Sequence, residues 1–360
     1  MRSNSVVVIA LMTYGDLVLM VPFLQRLKVE HPSANITVIT GSRGRSLLRL
    51  YPWVDDVVDL SGFKQWRRLW PTLGQLLLRF RSDFVYALHP IFKAALLAFV
   101  LAGKQRIGFH QAAPGLYGAN GKFEPRPSVT GWQQQLIAAL LLTESREMNL
   151  DDDHASTRFL QLLRHGSHKE KGLRGSLRER FTSPDDARRA LTIILAPFSG
   201  WTARNWPLER WAELSFYLSI DYPEAQILVS TERRLRERTS KIFSGQPAVT
   251  IFCPGDNFEL LFTSFSKASL VIANDSFPLH VASALDIPAI GLFGPNRKEW
   301  FGALSDRSVN VSEPICCSPC VQSTGDEKCL QGFHTCAALS AISVEAVRAH
   351  CRTILSEMKT

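Results

Sequence analysis

Apolar residues in this chain fall into compact runs of buried-strand length, separated by stretches of helical period, and the alternation repeats in both halves. Ser5 to Leu11 is the first run. The turn Thr13-Tyr14-Gly15-Asp16 leads from it into an amphipathic helix over Leu17 to Glu30, and Asn35 to Thr40 is the next strand. A short strand over Val54 to Val58, a strand over Phe84 to Leu88 and an apolar helix over Phe92 to Leu101 follow. Gly118 to Ser128 reads as loop and Trp132 to Leu142 as helix. The alternation restarts with Thr192 to Ala196, a turn through Pro197-Phe198-Ser199-Gly200, a helix over Leu208 to Leu218 and a strand over Ile227 to Ser230.

The pattern is clearest from Leu270 to Pro295. Leu270 to Ala273 is a buried-type strand, Asn274-Asp275-Ser276 carries helix-capping chemistry, Leu279 to Leu285 is a helix, and Ala289 to Phe293 is the next strand. Pro278 suits a helix start, because its missing N–H has no partner there in any case. Strand and helix in strict alternation predict an α/β fold with parallel sheets, whose ligands bind at the carboxyl ends of the strands. A helix N-terminus at such an edge is an anion site, which directs attention to Asp275, Ser276 and His280. An ordinary strand-helix-strand unit with a satisfied cap gives the same pattern.

A length of 360 residues is enough for two domains with their own cores, and 46% hydrophobic residues with mean hydropathy near zero is ordinary for a folded domain. His165 to Arg189 is charged, turn-rich and poor in apolar residues, so the domain boundary is expected there, with domains over 1–175 and 176–340 and a terminal helix in 341–360. The longest strongly apolar run, Ala94 to Ala102, is about half what a bilayer requires. Val6 to Met12 runs into Gly15-Asp16 without a cleavage pattern, and the reading is a cytoplasmic protein.

Net charge is +8, unevenly distributed. Residues 1–180 hold 24 Lys and Arg against 14 Asp and Glu, whereas residues 181–360 hold 17 against 19. The basic half is therefore expected to meet an anionic partner, a solvated basic face being the alternative. Lys64, Arg67 and Arg68 around Trp66 are candidates for binding phosphate or sugar acids, as is Lys93 at the start of an apolar helix. In the other half, the Ser199-Gly200 turn offers N–H groups to a phosphate and Arg204 adds charge. Glu232, at a strand end, suits ribose hydroxyls, a surface glutamate being the plainer reading.

Five of the seven cysteines lie between Cys316 and Cys336. Cys317, Cys320, Cys329 and Cys336 offer four thiols with a C-x2-C pair at one end, a pattern open to zinc or to a disulfide. Against zinc, the second pair is spaced C-x6-C.

Three stretches resemble glycosyltransferase family 9, the heptosyltransferases. Asn274-Asp275-Ser276-Phe277-Pro278-Leu279-His280-Val281-Ala282 followed by Phe293-Gly294-Pro295 resembles the family's donor-site signature, with Phe277 where glycine is usual. Gly15, Asp16 and Pro22 match its amino-terminal motif, in which the aspartate is the general base. The third stretch is the small-residue turn, the basic Arg204 and Trp206-Pro207 opening a helix; Lys104 to Phe109 also follows the family's style. The resemblance implies a GT-B architecture, two Rossmann-like domains facing each other across a cleft, with the acceptor in the amino-terminal domain and the nucleotide sugar in the other. It implies inverting transfer of a heptose from ADP-heptose to the inner core of lipopolysaccharide, with no cofactor or metal. On this reading Asp16 is the base. Ser199, Gly200, Arg204, Glu232, Asp275, Ser276 and His280 hold the donor, and Lys64, Arg67, Arg68 and Lys93 meet the acceptor. The partners implied are a nucleotide sugar and an anionic lipid-linked acceptor at the inner membrane surface, with no nucleic acid. The terminal helix, Ser343 to Met358, is expected to pack back toward the amino-terminal domain. A member using another donor, or a sugar-nucleotide-binding protein without turnover, are the alternatives, because a phenyl ring at position 277 stands where the backbone would approach the ligand.

Overall fold

A computed structural model describes residues 5–41, 44–60, 82–89, 91–101, 103–110, 115–117, 123–125, 136, 140–147, 154–163, 172–182, 190–246, 248–320 and 335–357. The chain forms two compact units, one of residues 1–115 and 125–172, the other of 116–124 and 173–360. The division at Gly172 and Leu173 lies in the charged connection.

Strands of the first unit are β1 (Ser5–Ala10), β2 (Asn35–Thr40), β3 (Asp56–Asp59), β4 (Phe84–Ala87) and β5 (Gln105–His110). β8 (Glu144–Glu147) is the sixth, and the short pair β6 (Gly115–Tyr117) and β7 (Phe123–Pro125), most of whose residues belong to the second unit, stands between β5 and β8 in the chain. Six of them make one sheet in the order β3-β2-β1-β4-β5-β8, every neighbour parallel. Val6 to Ala10 are all inaccessible to solvent, which explains an unbroken apolar run: a central parallel strand is covered on both faces. β3 begins two residues later than the hydrophobic pattern predicts, because Asp55 caps the neighbouring strand instead, its Oδ2 accepting from Ile36 N at 2.8 Å.

The helix expected over Leu17 to Glu30 begins earlier and is divided in two, Tyr14–Leu19 and Val21–Glu30, with Met20 between them. Pro22 is the cause, since it has no N–H to continue the helical ladder. The Phe92–Val100 helix lays Ala94, Ala95, Leu97 and Ala98 on the sheet. Most of the helix expected over Trp132 to Leu142 lies outside the described residues.

In the second unit β9 (Thr192–Ala196), β10 (Gln226–Ser230), β11 (Val249–Phe252), β12 (Leu270–Asn274), β13 (Ala289–Phe293) and β14 (Val309–Ser312) form a second parallel sheet. Its order is β11-β10-β9-β12-β13-β14, which repeats that of the first. In each sheet the chain fills one side of the first strand and then crosses to the other. The connections after β1 and β4, and after β9 and β12, thus leave their sheets in opposite directions, and a crevice opens between them. Both units have the Rossmann-type order expected of a GT-B protein.

The core of the second unit is built on Trp206 and Trp211, both fully buried with ring centroids 5.3 Å apart in an edge-to-face arrangement. The indole Nε1 of Trp206 donates to Ile342 O at 3.0 Å, tying the Leu208–Asp221 region to the chain's last segment. The terminal helix, Val344–Ser356, has its described partners in this unit. Val347, Cys351, Ile354 and Leu355 join the same core, and Arg348 forms a two-pronged ion pair with Asp221 at 2.6 and 2.7 Å. Replacing Trp206 by Ala removes a large buried ring and one of the two donors to Ile342 O, the other being Arg210 Nη1. The second unit is expected to lose about 3–5 kcal/mol of stability, measured by urea unfolding followed by circular dichroism; a loss below about 1 kcal/mol would show that Trp206 is not central to this core.

Candidate active site

At the carboxyl end of β12 the chain turns directly into a helix over Phe277–Leu285, beginning two residues before the expected Leu279, with Pro278 in its first turn. Ser276 is the N-cap, but its Oγ donates back to Asn274 O at 3.0 Å and caps no helix N–H. Leu279 N donates to Ser276 O and Pro278 has no N–H, so what the helix start presents to the sheet edge is chiefly the positive end of its dipole. Asp275 beside it is 2% exposed. Its Oδ2 accepts from Asn296 Nδ2 and lies 3.4 Å from Arg204 Nη1, while its Oδ1 is buried without a partner. Burial pushes this carboxyl above the usual carboxylate range, opposed by the Arg204 charge and by the hydrogen bonds from Asn296 and Arg204.

Arg204 comes from the loop after β9, so the two sides of the crevice in this sheet meet in an ion pair. The guanidinium lies 4.9 Å from the Trp201 ring and also reaches Asp275 O at 3.4 Å. Ser199 is engaged within its own loop: its N–H donates to Asn205 Oδ1 at 2.7 Å and its hydroxyl to Trp201 O. Gly200 is exposed, and a Cβ there would meet nothing within 4 Å, so the open approach to this turn is at Gly200. Glu232, at the end of β10 on the same sheet edge, is exposed and paired with Arg234 at 2.6 Å. His280 is 4% exposed, its ring 6.4 Å from that of Phe301.

The Phe277 ring is turned onto the neighbouring Phe258–Ser266 helix, edge-to-face with Phe258 at 5.8 Å and with Phe262 at 6.5 Å. Beyond β13, Gly294 is required by close approach, because a Cβ would come within 2.7 Å of both Cys336 Sγ and the Leu339 side chain. The cysteine segment grips this turn, with Ser318 Oγ donating to Gly294 O and Cys320 N to Pro295 O. Cys329 lies outside the described residues, and among those no cluster of three metal-binding groups is present.

In the first unit, Asp16 is the third residue of the Tyr14–Leu19 helix. Its Oδ2 accepts from the N–H and hydroxyl of Thr13 at 3.3 and 2.7 Å, so it does serve as a cap. Oδ1 is left over. His89, two residues past the end of β4, stands close enough to feel this charge. Burial lowers the imidazole's proton affinity and Asp16 partly restores it, while its Nδ1 is buried with no partner. His89, Asn205, Asn296 and Trp201 carry no signal in the sequence that assigns them to a site, and only the fold brings them beside Asp16, Ser199, Asp275 and Arg204. Lys93 is exposed at the start of its helix, and Lys64, Arg67 and Arg68 lie outside the described residues.

The family model for glycosyltransferase family 9 (heptosyltransferase) matches residues 70–331. The chain belongs to this family. Among curated relatives, it is 24% identical over 166 residues to lipopolysaccharide heptosyltransferase 1 of Pseudomonas aeruginosa, a match spanning 46% of each chain. It is 21% identical over 332 residues to lipooligosaccharide heptosyltransferase 2 of Campylobacter jejuni, covering 89% of this chain and 90% of the relative. Its fold matches the structure of E. coli ADP-heptose lipopolysaccharide heptosyltransferase II with a TM-score of 0.71 at 19% identity, over 99% of this chain and 100% of that one. The fold is thus GT-B, and this family 9 member is a glycosyltransferase.

The environment of His89 sets a pH dependence. A histidine whose folded-state proton affinity is depressed contributes stability above its unfolded pKa, 6.5, and loses that contribution as pH falls through the folded value, because the unfolded chain takes up the proton first. His89→Gln is expected to show a smaller drop in Tm than the native protein when thermal melts are compared from roughly pH 7 to pH 5. Parallel drops in the two proteins would sink this reading.

Proposed function

We propose that this family 9 enzyme transfers a heptose from ADP-heptose to an inner-core sugar of lipopolysaccharide, with inversion, using Asp16 as general base and no metal. The observation that carries the reading is the state of Asp16: one carboxylate oxygen is anchored by Thr13 and the other is left over, at the carboxyl edge of β1. A single displacement needs such a base to take the acceptor hydroxyl's proton on the face opposite the leaving group. The departing diphosphate gains negative charge, and fixed donors must meet it. Arg204, the Gly200 turn and the positive helix end at Ser276 and Phe277 fill that role in this reading, with Ser199 shaping the turn from within.

Arg204 lies over Asp275. As Arg204 turns to the diphosphate, Asp275 is uncovered for the sugar hydroxyls. His280 braces the helix start, and Glu232 exchanges Arg234 for the ribose. The amino-terminal domain takes the acceptor, whose phosphates meet Lys64, Arg67, Arg68 and Lys93. An anionic lipid acceptor also calls for the basic half to work at a membrane surface on the cytoplasmic side, and no helix among the described residues is long and apolar enough to cross one.

A second reading, transfer of a different nucleotide-linked sugar, is favoured by one observation: Phe277 adds a ring beside the helix start where the family usually has glycine. Calorimetric titration with ADP-, UDP- and GDP-sugars separates the two. For the mechanism, Asp16→Ala is expected to lower transfer by about 100-fold or more while donor affinity stays as in the native enzyme. Transfer at the native rate would remove Asp16 from the role of base.

A further inference from the structure

We propose that Asn296 is a positioning residue of the donor site, holding the Asp275 carboxylate in place when Arg204 turns to the donor diphosphate. This rests on the donor-site reading above and adds a residue to it. Two donors reach Asp275 Oδ2, and they differ in kind. Arg204 is a long side chain, 30% exposed, in contact with the carboxylate only at 3.4 Å, and it is the group a diphosphate would draw away. Asn296 is 9% exposed and its amide is the closer donor. It carries no charge, so a phosphate does not compete for it as it does for a guanidinium.

The backbone leading to Asn296 is fixed independently. Gly294 O and Pro295 O accept from Ser318 Oγ at 2.6 Å and from Cys320 N at 2.9 Å, and Gly294 packs against Cys336 and Leu339. The cysteine segment thereby acquires a role without a metal: it braces the turn that aims Asn296. Around Asp275, the charged group acting on it among the described residues is Arg204. The helix that follows brings the buried His280, and β13's turn brings the uncharged amide. Burial drives Asp275 toward its neutral acid, and Arg204 and Asn296 oppose this. With Arg204 drawn off, the Asn296 hydrogen bond is what remains to favour the carboxylate over the acid, and only the carboxylate presents both oxygens as acceptors to sugar hydroxyls.

The test uses the full chain with Asn296→Ala and with Asn296→Ser, which keeps a donor. Calorimetry with ADP alone is expected to give affinities within about twofold of the native protein for both. Affinity for ADP-heptose is expected to fall about tenfold in Asn296→Ala and less in Asn296→Ser, the scale of one hydrogen bond to a charged group. The pH below which ADP-heptose binding weakens is expected to rise in Asn296→Ala. Equal loss for ADP and ADP-heptose would mean a merely structural role and overturn the proposal. So would unchanged affinity and pH profile in a folded Asn296→Ala protein. If the native protein binds neither probe, the donor reading itself fails. The positioning claim is then decided by carbon-13 NMR of the Asp275 carboxyl in the free protein, whose titration moves to higher pH in Asn296→Ala if the proposal holds and stays in place if it does not.

Discussion

The side chain of Asn274 holds the second unit's ligand edge together. It is fully buried at the end of β12, where its Oδ1 accepts from Trp206 N at 3.0 Å and its Nδ2 donates to Pro197 O at 2.8 Å. β9 and β12 are neighbours in the sheet, but the chain leaves them in opposite directions, so backbone pairing cannot continue past the strand ends. One amide replaces that pairing. It fixes both ends of the loop that carries Ser199, Gly200 and Arg204, and Trp206 in turn is fixed by Trp211 and Ile342. Arg204 can reach Asp275 only because the residues on either side of its loop are held to the residue preceding Asp275. Loss of the amide would leave a buried donor and a buried acceptor unmatched, each costing about 1–3 kcal/mol.

The two sheets share one strand order but meet different chemical demands at the same topological point. In the first unit the crevice holds a carboxylate with a spare oxygen and a histidine kept largely neutral by burial. That environment suits accepting a proton. In the second, the carboxylate is buried and countered by a guanidinium, and the positive end of a helix lies alongside. Such an edge is suited to a charged diphosphate and a polyhydroxylated sugar. The balance of Lys and Arg over Asp and Glu, 24 against 14 in the first half and 17 against 19 in the second, follows the same division.

Most inner strands were legible, because burial on both faces favours compact apolar runs; β5, Gln105–His110, carries polar residues and was not. Asn35–Thr40, Thr192–Ala196 and Ala289–Phe293 coincide with their hydrophobic patterns. Edge strands were less so, β3 being found but two residues out of place. β8 reads Glu144-Ser145-Arg146-Glu147 and pairs on one side with β5, so nothing requires it to be apolar. β11 and β14, the edges of the other sheet, have mostly half-buried residues and left as faint a trace. At the site, charged residues and the helix start stood out from the sequence. The amides Asn205 and Asn296 did not, and Asn274 stood out only as part of a capping triplet, since an uncharged side chain gains its role from what the fold places beside it.

Phe277 shows how a departure from a family pattern is weighed. Glycine at a helix start serves either a left-handed backbone or a close approach, and only the first would make a side chain impossible. Here the residue is the first of a regular helix, and among the described residues the one non-glycine position with positive φ is Asp286. The backbone therefore tolerates phenylalanine without strain. Its ring lies against Phe258 and Phe262, where burying aromatic surface stabilises the seam between two helices. The helix start keeps its backbone geometry whatever stands at position 277, and what the ring changes is the shape beside it.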